Sequence, residues 1–166
     1  MLKYFPLALQ NEWHYKQQDG KIYTKKIIRA CNDQFTMHNS ATNASSILKT
    51  NCHLITTDAL EAGNFQPWLT NNLTAGDSWV VKFKAEGIDC ICILVMTVKA
   101  TGVEQQVEGK LYKKVLFIEA ENKILTNAGF ISLNFFTQYY YAENVGLVLM
   151  TSSAGDSHAL TGYTLN

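Results

Sequence analysis

What most constrains this chain is its punctuation. Turn-forming clusters recur at short intervals: Asp19-Gly20, Ala75-Gly76-Asp77-Ser78, Glu86-Gly87, Thr101-Gly102, Glu108-Gly109-Lys110, Asn127-Ala128-Gly129 and Ser153-Ala154-Gly155-Asp156. Between them lie runs rich in β-branched and aromatic residues, with little amphipathic helical periodicity anywhere. A chain cut this often has no room for a helical bundle or for βαβ units. It predicts about ten short strands in an all-β antiparallel meander, curled, barrel-like or folded into a sandwich, because large sheets curl or close to limit exposed edges. With 166 residues the whole length, 1–166, reads as one domain.

Individual strands follow from local pattern. Asn11 to Tyr15 alternates, with Trp13 and Tyr15 on one face and His14 on the other. Asp19-Gly20 then turns the chain into Ile22 to Arg29, a first hairpin. The stretch 39–46, NSATNASS, reads as a loop, Ile47 to Thr56 as one strand, and 58–73 as connection with at most a helical turn. Trp79 to Ala85 alternates again. Ile88 to Lys99 is apolar on both faces, as expected of a central strand covered on both sides. Thr101-Gly102 is expected to turn it into Val103 to Val107. Tyr139 to Met150, YYYAENVGLVLM, reads as a hairpin around Glu143-Asn144 near the end of the sheet, with Tyr139 and Tyr141 sharing a face.

Composition narrows the partners. Lys plus Arg and Asp plus Glu are 14 each, so the balanced charge leaves no electrostatic footprint for nucleic acid. The longest apolar run, Ile88 to Val98, is interrupted by Asp89 and Thr97 and falls short of the roughly 20 residues of a spanning helix. Cys31, Cys52, Cys90 and Cys92 lack zinc-site spacing. Cys90 and Cys92 share a strand face and read as small buried hydrophobes, while a Cys31–Cys52 disulfide stays open. No metal or cofactor is expected. The opening residues show no charged region followed by an apolar one. Location is then periplasm or cell envelope for a chain whose signal has been removed, and cytoplasmic otherwise.

Three groups of residues carry a resemblance. They are Tyr4-Phe5-Pro6-Leu7 followed by Asn11, Trp13 and Tyr15; Gly109-Lys110-x-Tyr112-x-x-Val115; and Tyr140-Tyr141-Ala142-x-x-Val145-Gly146-Leu147-Val148. Together they resemble a loose group of bacterial cell-envelope, lipoprotein-like domains of unassigned function. The resemblance implies an all-β fold and an exported location, and it brings no catalytic or binding residues. A lipobox cysteine is not visible in the sequence.

No familiar catalytic signature is present: no Gly-x-Ser-x-Gly, no phosphate-binding glycine loop, no His-Glu-x-x-His. Cys52-His53 and Asp156-x-His158 have reactive residue types, but adjacent strand residues such as Cys52 and His53 point to opposite faces, and turn capping or solvation is the ordinary account of Asp156 and His158. The aromatics are the stronger signal. Trp13, Trp68 and Trp79 with the tyrosine run combine apolar area with polar tips, which suits a sugar or lipid, although ordinary packing uses the same residues. The primary expectation is a non-enzymatic envelope domain. It would bind an apolar or amphipathic small molecule in a concave sheet face lined by Trp79, Phe83, Tyr139 and Tyr141. The alternative is a structural module that meets an envelope protein through a sheet edge or patch. The third is an enzyme with Asp156, His158, His53 and Cys52 as first suspects.

Overall fold

The computed structural model describes residues 2–84 and 90–166. Among them there is no helix, and twelve strands form one antiparallel sheet. These are β1 (Glu12–Gln17), β2 (Ile22–Cys31), β3 (Gln34–Asn39), β4 (Ala44–Thr50), β5 (Leu54–Thr57) and β6 (Gln66–Thr70), then β7 (Ser78–Lys84), β8 (Ile91–Val107), β9 (Lys110–Thr126), β10 (Gly129–Ala142), β11 (Gly146–Ser152) and β12 (Ser157–Thr164). The order across the sheet is β6-β5-β4-β3-β2-β1-β12-β11-β10-β9-β8-β7. Two six-stranded meanders, one from each half of the chain, are therefore joined where the first strand pairs with the last, Trp13 opposite Tyr163.

That order forces the sheet to curl. The two edges, β6 and β7, are consecutive in the chain, and only residues 71–77 lie between them. Eight residue steps reach at most ~28 Å. In a flat sheet the same edges would stand eleven spacings apart, roughly 53 Å at about 4.8 Å each. The sheet accordingly bends nearly into a barrel, with β6 approaching β7.

Turn chemistry sets most boundaries as expected. Glu108 and Gly109 both take positive φ, 47° and 79°, the pattern of a two-residue hairpin turn. The Gly20, Gly129 and Gly155 turns also fall between paired strands. Glu86-Gly87 lies outside the described residues. Four expectations change. Residues 47–56 are two strands, because the Asn51 side chain accepts hydrogen bonds from the His53 and Leu54 backbone N–H at 3.0 and 2.8 Å and turns the chain. The stretch 39–46 is a tight turn with strand on each side. Residues 66–70 form β6 despite Pro67, since an edge strand tolerates a residue without an N–H. Thr101-Gly102 does not reverse the chain: β8 runs on through it for 17 residues, and the register slips against β9 there, with Gly102 at φ 73°.

Position in the sheet also differs from expectation. β8, buried on both faces at Cys92, Ile93 and Leu94, lies next to the edge strand and not at the centre. The Tyr139–Met150 hairpin is β10–β11, and it sits inside the sheet between β9 and β12. The cysteines Cys31 and Cys52 are both exposed and unbridged.

The inward faces of the strands form the core, from Trp13, Tyr15 and Ile27 through Leu48 and Ile55 to Val98, Ile118, Tyr141 and Leu160. The peptide before β1 is tied across part of this interior. The Asn144 N–H donates to the Lys3 carbonyl at 2.8 Å, the Lys3 N–H donates to Asn71 Oδ1 at 2.8 Å, and buried Asn11 donates to the Pro6 carbonyl at 2.9 Å. Phe5 stacks on Trp13 at 5.5 Å between ring centroids.

Candidate functional site

The strand period of two sends alternate residues inward, and the curl brings those residues from distant strands face to face. β1 contributes Trp13 and Tyr15, β2 Lys25, β3 Met37, β4 Leu48, β5 Ile55 and Thr57, β6 Trp68, β10 Tyr139 and Tyr141, and β11 Leu147 and Met150. With Phe5, Ala59 and Leu60 they enclose a largely apolar cavity of about 180 Å³. Trp68 crosses it from the edge strand. Its indole N–H donates to the Tyr141 hydroxyl at 2.9 Å, and its ring meets Tyr139 edge-on at 5.7 Å. β6 and β10 are far apart in the sheet order, so this contact exists only because the sheet is bent.

The polar tips of Trp13 and Tyr15 are anchored at the wall, which leaves their apolar ring faces for the interior. Trp13 Nε1–H donates to the Val145 carbonyl at 2.6 Å, and the Tyr15 hydroxyl donates to the Leu147 carbonyl at 2.9 Å. Gly146 lies between these two acceptors. A Cβ there would stand 3.1 Å from Trp13 Nε1, so the glycine lets the indole reach the backbone. Burial raises the pKa of Tyr139 to about 12 and pushes the phenols of Tyr15 and Tyr141 well above their ordinary range.

Lys25 is the charged residue of this lining. Register places it opposite Trp13 on one side and Asn39 on the other, on the inward face with Tyr23 and Ile27. Its Nζ lies 5.7 Å from the centroid of the Tyr15 ring. Desolvation lowers its pKa. Lys25, Met37, Ala59 and Leu60 also line a second, more open and more polar groove of about 300 Å³, where Asn39, Thr42, Ser45, Ser46, Asp58 and Glu61 replace the aromatics.

The structure gathers Tyr139 and Tyr141 into the cavity and places Trp79 and Phe83 elsewhere. Trp79 lines a separate hollow at the seam between β6 and β7, with Leu54, Pro67, Trp68 and Leu73, and its buried Nε1–H has no hydrogen-bond partner among the described residues. Phe83 packs against the core from β7 without lining the cavity. Both lie on the edge strand β7, three strands along the sheet from β10, which local alternation could not reveal. Lys25 and Met37 were not singled out from sequence. The signal for Lys25 was the Tyr23-x-Lys25-x-Ile27 alternation, which sets a charge among inward hydrophobes.

The acid–base suspects divide. His158 Nε2 meets Asp156 Oδ2 at 3.1 Å, and its Nδ1 meets the buried Tyr23 hydroxyl at 2.8 Å. This chain of contacts fastens β12 to β2 across β1 and lines no part of the cavity. Burial, and after it the Asp156 charge, raises the Tyr23 pKa to about 12. Cys52 and His53 sit in the β4–β5 turn, and four strand spacings, about 19 Å along the sheet, separate β4 from β12. Among the described residues no group of three His, Cys, Asp or Glu is placed to hold a metal.

No protein-family model and no curated protein matches this chain. Solved structures do. A Bacteroides fragilis protein inferred to be exported, with a YmcC-like fold, superposes over 99% of this chain and 100% of its own at TM-score 0.59 and 11% identity. A Parabacteroides distasonis protein inferred to be a lipoprotein superposes over 98% of this chain and 99% of its own, again at TM-score 0.59 and 11% identity. At that identity the likeness is one of fold, and it extends over the whole domain.

Proposed function

We propose that this chain is a non-enzymatic cell-envelope domain that holds an apolar or amphipathic small molecule inside its curled sheet. The observation that carries the reading is the cavity itself: aromatic faces turned inward, the polar tips of Trp13 and Tyr15 tied to the wall, and a polar groove that shares part of its lining. Cavity and groove together reach the lower end of the roughly 300–1,000 Å³ usual for small-molecule sites. The envelope assignment draws on the full-length fold likeness to one protein inferred to be exported and another inferred to be a lipoprotein. Native mass spectrometry followed by denaturing extraction tests the ligand reading. A bound mass released on unfolding is the expected result. Protein that stays ligand-free after incubation with a total lipid extract argues against it. Cell fractionation of the natural host tests the location.

A second reading rests on the start of β10. Among the described residues, β11 pairs with β10 only from Thr137 onward, so residues 129–135 keep one free backbone edge. Phe130, Ile131 and Leu133 are exposed there, Phe130 at 63%. An unpaired edge with exposed apolar side chains is what strand addition by a protein partner uses. Phe130→Asp with Ile131→Lys should abolish partner capture from an envelope extract under this reading and leave ligand retention unchanged.

A further inference from the structure

Lys25 stands at the junction of the cavity and the groove and lines both. Its ammonium faces the Tyr15 ring, and among the described residues no carboxylate lies within 4 Å of Nζ. The acids that line the groove are engaged elsewhere. Asp58 accepts from the Ile47 and Gly63 backbone N–H groups at 2.6 and 3.2 Å, and Glu61 accepts from Asn64 Nδ2 at 2.9 Å. A desolvated ammonium without a counter-ion is unfavourable, and a purely structural inward position would favour Met or Leu. The long stem lets the charge stand at the boundary the two hollows share, the neck between cavity and groove.

We propose that Lys25 is the headgroup anchor for an anionic amphiphile, a carboxylate of the fatty-acid type, whose tail lies among Trp13, Trp68, Tyr139 and Tyr141. The inference rests on the ligand-binding reading above and adds the head chemistry and the orientation: carboxylate at the neck, tail inward. The ammonium supplies a charge-assisted hydrogen bond to the carboxylate in a partly desolvated site, where such bonds are strongest. An alcohol of the same chain length keeps the apolar burial and exchanges the ion pair for a weaker hydrogen bond to a neutral oxygen. An alkylammonium meets a like charge.

The test is titration of the purified protein with decanoate, decanol and decylammonium, followed by tryptophan fluorescence and calorimetry. Lys25→Met and Lys25→Arg variants are titrated beside the unaltered chain. The unaltered protein should bind decanoate about 10- to 100-fold more tightly than decanol and should bind decylammonium weakest. Lys25→Met should erase the preference for decanoate while decanol binds unchanged or tighter, and Lys25→Arg should keep most of it. Equal binding of all three by the unaltered protein would overturn the anchor and leave the ligand cavity standing. Binding of none would overturn both. Should Lys25→Met not fold, the headgroup comparison in the unaltered protein and in Lys25→Arg decides by itself.

Discussion

Gly146 offers a stringent test of how the cavity wall is built. It carries φ of 110°, and a Cβ would stand 3.1 Å from Trp13 Nε1, the atom that donates to the Val145 carbonyl. Gly146→Ala therefore adds two costs. Holding a side chain in that backbone region costs of order 1–3 kcal/mol. Moving the indole aside loses a buried hydrogen bond, about 1 kcal/mol net. The sum is about 2–4 kcal/mol, a large share of an ordinary domain's stability. Two other glycines separate the terms. Gly155 has φ of 98° and nothing within 4 Å of the place its Cβ would occupy, so Gly155→Ala should carry the strain alone. Gly162 has neither an unusual φ nor a close neighbour, and Gly162→Ala should be near neutral. Urea denaturation followed by tryptophan emission gives all three values. The ranking Gly146→Ala worst, Gly155→Ala intermediate and Gly162→Ala near zero is expected. Equal losses at Gly146 and Gly155 would refute the contact between the glycine and Trp13.

Other perturbations follow from the same geometry. Tyr23 and Tyr139 have folded-state pKa values near 12 against an ordinary 10, so the unfolded chain loses their protons first. Their contribution is intact below pH 10 and is lost as pH rises toward 12, by ~2–3 kcal/mol per tyrosine. Near-ultraviolet circular dichroism should collapse in that window, and ionisation of Tyr23 and Tyr139 themselves, followed residue by residue by NMR, with midpoints near 10 in protein that keeps its native spectrum would contradict it. Tyr141→Phe removes the acceptor of the Trp68 indole and should cost about 1–2 kcal/mol and shift tryptophan emission; an unchanged spectrum would mean the cross-cavity bond is absent. Asn51→Ala should cost about 0.5–1.5 kcal/mol and speed amide exchange at Leu54 and Ile55, since the Asn51 side chain makes the β4–β5 turn; unaltered exchange there would argue against that role.

Much of the fold was legible because β-structure is encoded locally. Asp19-Gly20, Glu108-Gly109 and the Gly155 turn end strands by backbone chemistry that needs no distant partner. The inward pairs Trp13 with Tyr15 and Tyr139 with Tyr141 follow from a side-chain period of two. Where expectation failed, a local signal had two outcomes. Thr101-Gly102 can turn a chain or bulge a strand, and the neighbour β9 decided for the bulge. Pro67 argues against a strand unless the strand is an edge, and edge position belongs to the whole sheet.

The candidate site divides along the same line. The sequence by itself determined most of the strands, where most turns fall, and which aromatics share a face, because each depends on neighbours a few residues away. Tertiary structure alone decided that β1 pairs with β12, which makes consecutive β6 and β7 the two edges and so bends the sheet. It thereby decided that Trp68 reaches Tyr141, that Trp79 falls at the seam, and that Lys25 lines both cavity and groove. The pairing of first and last strands is a contact across the full length of the chain. Turn and alternation signals do not carry it, since every strand here has a backbone able to pair with any other, and only the packed interior selects the order.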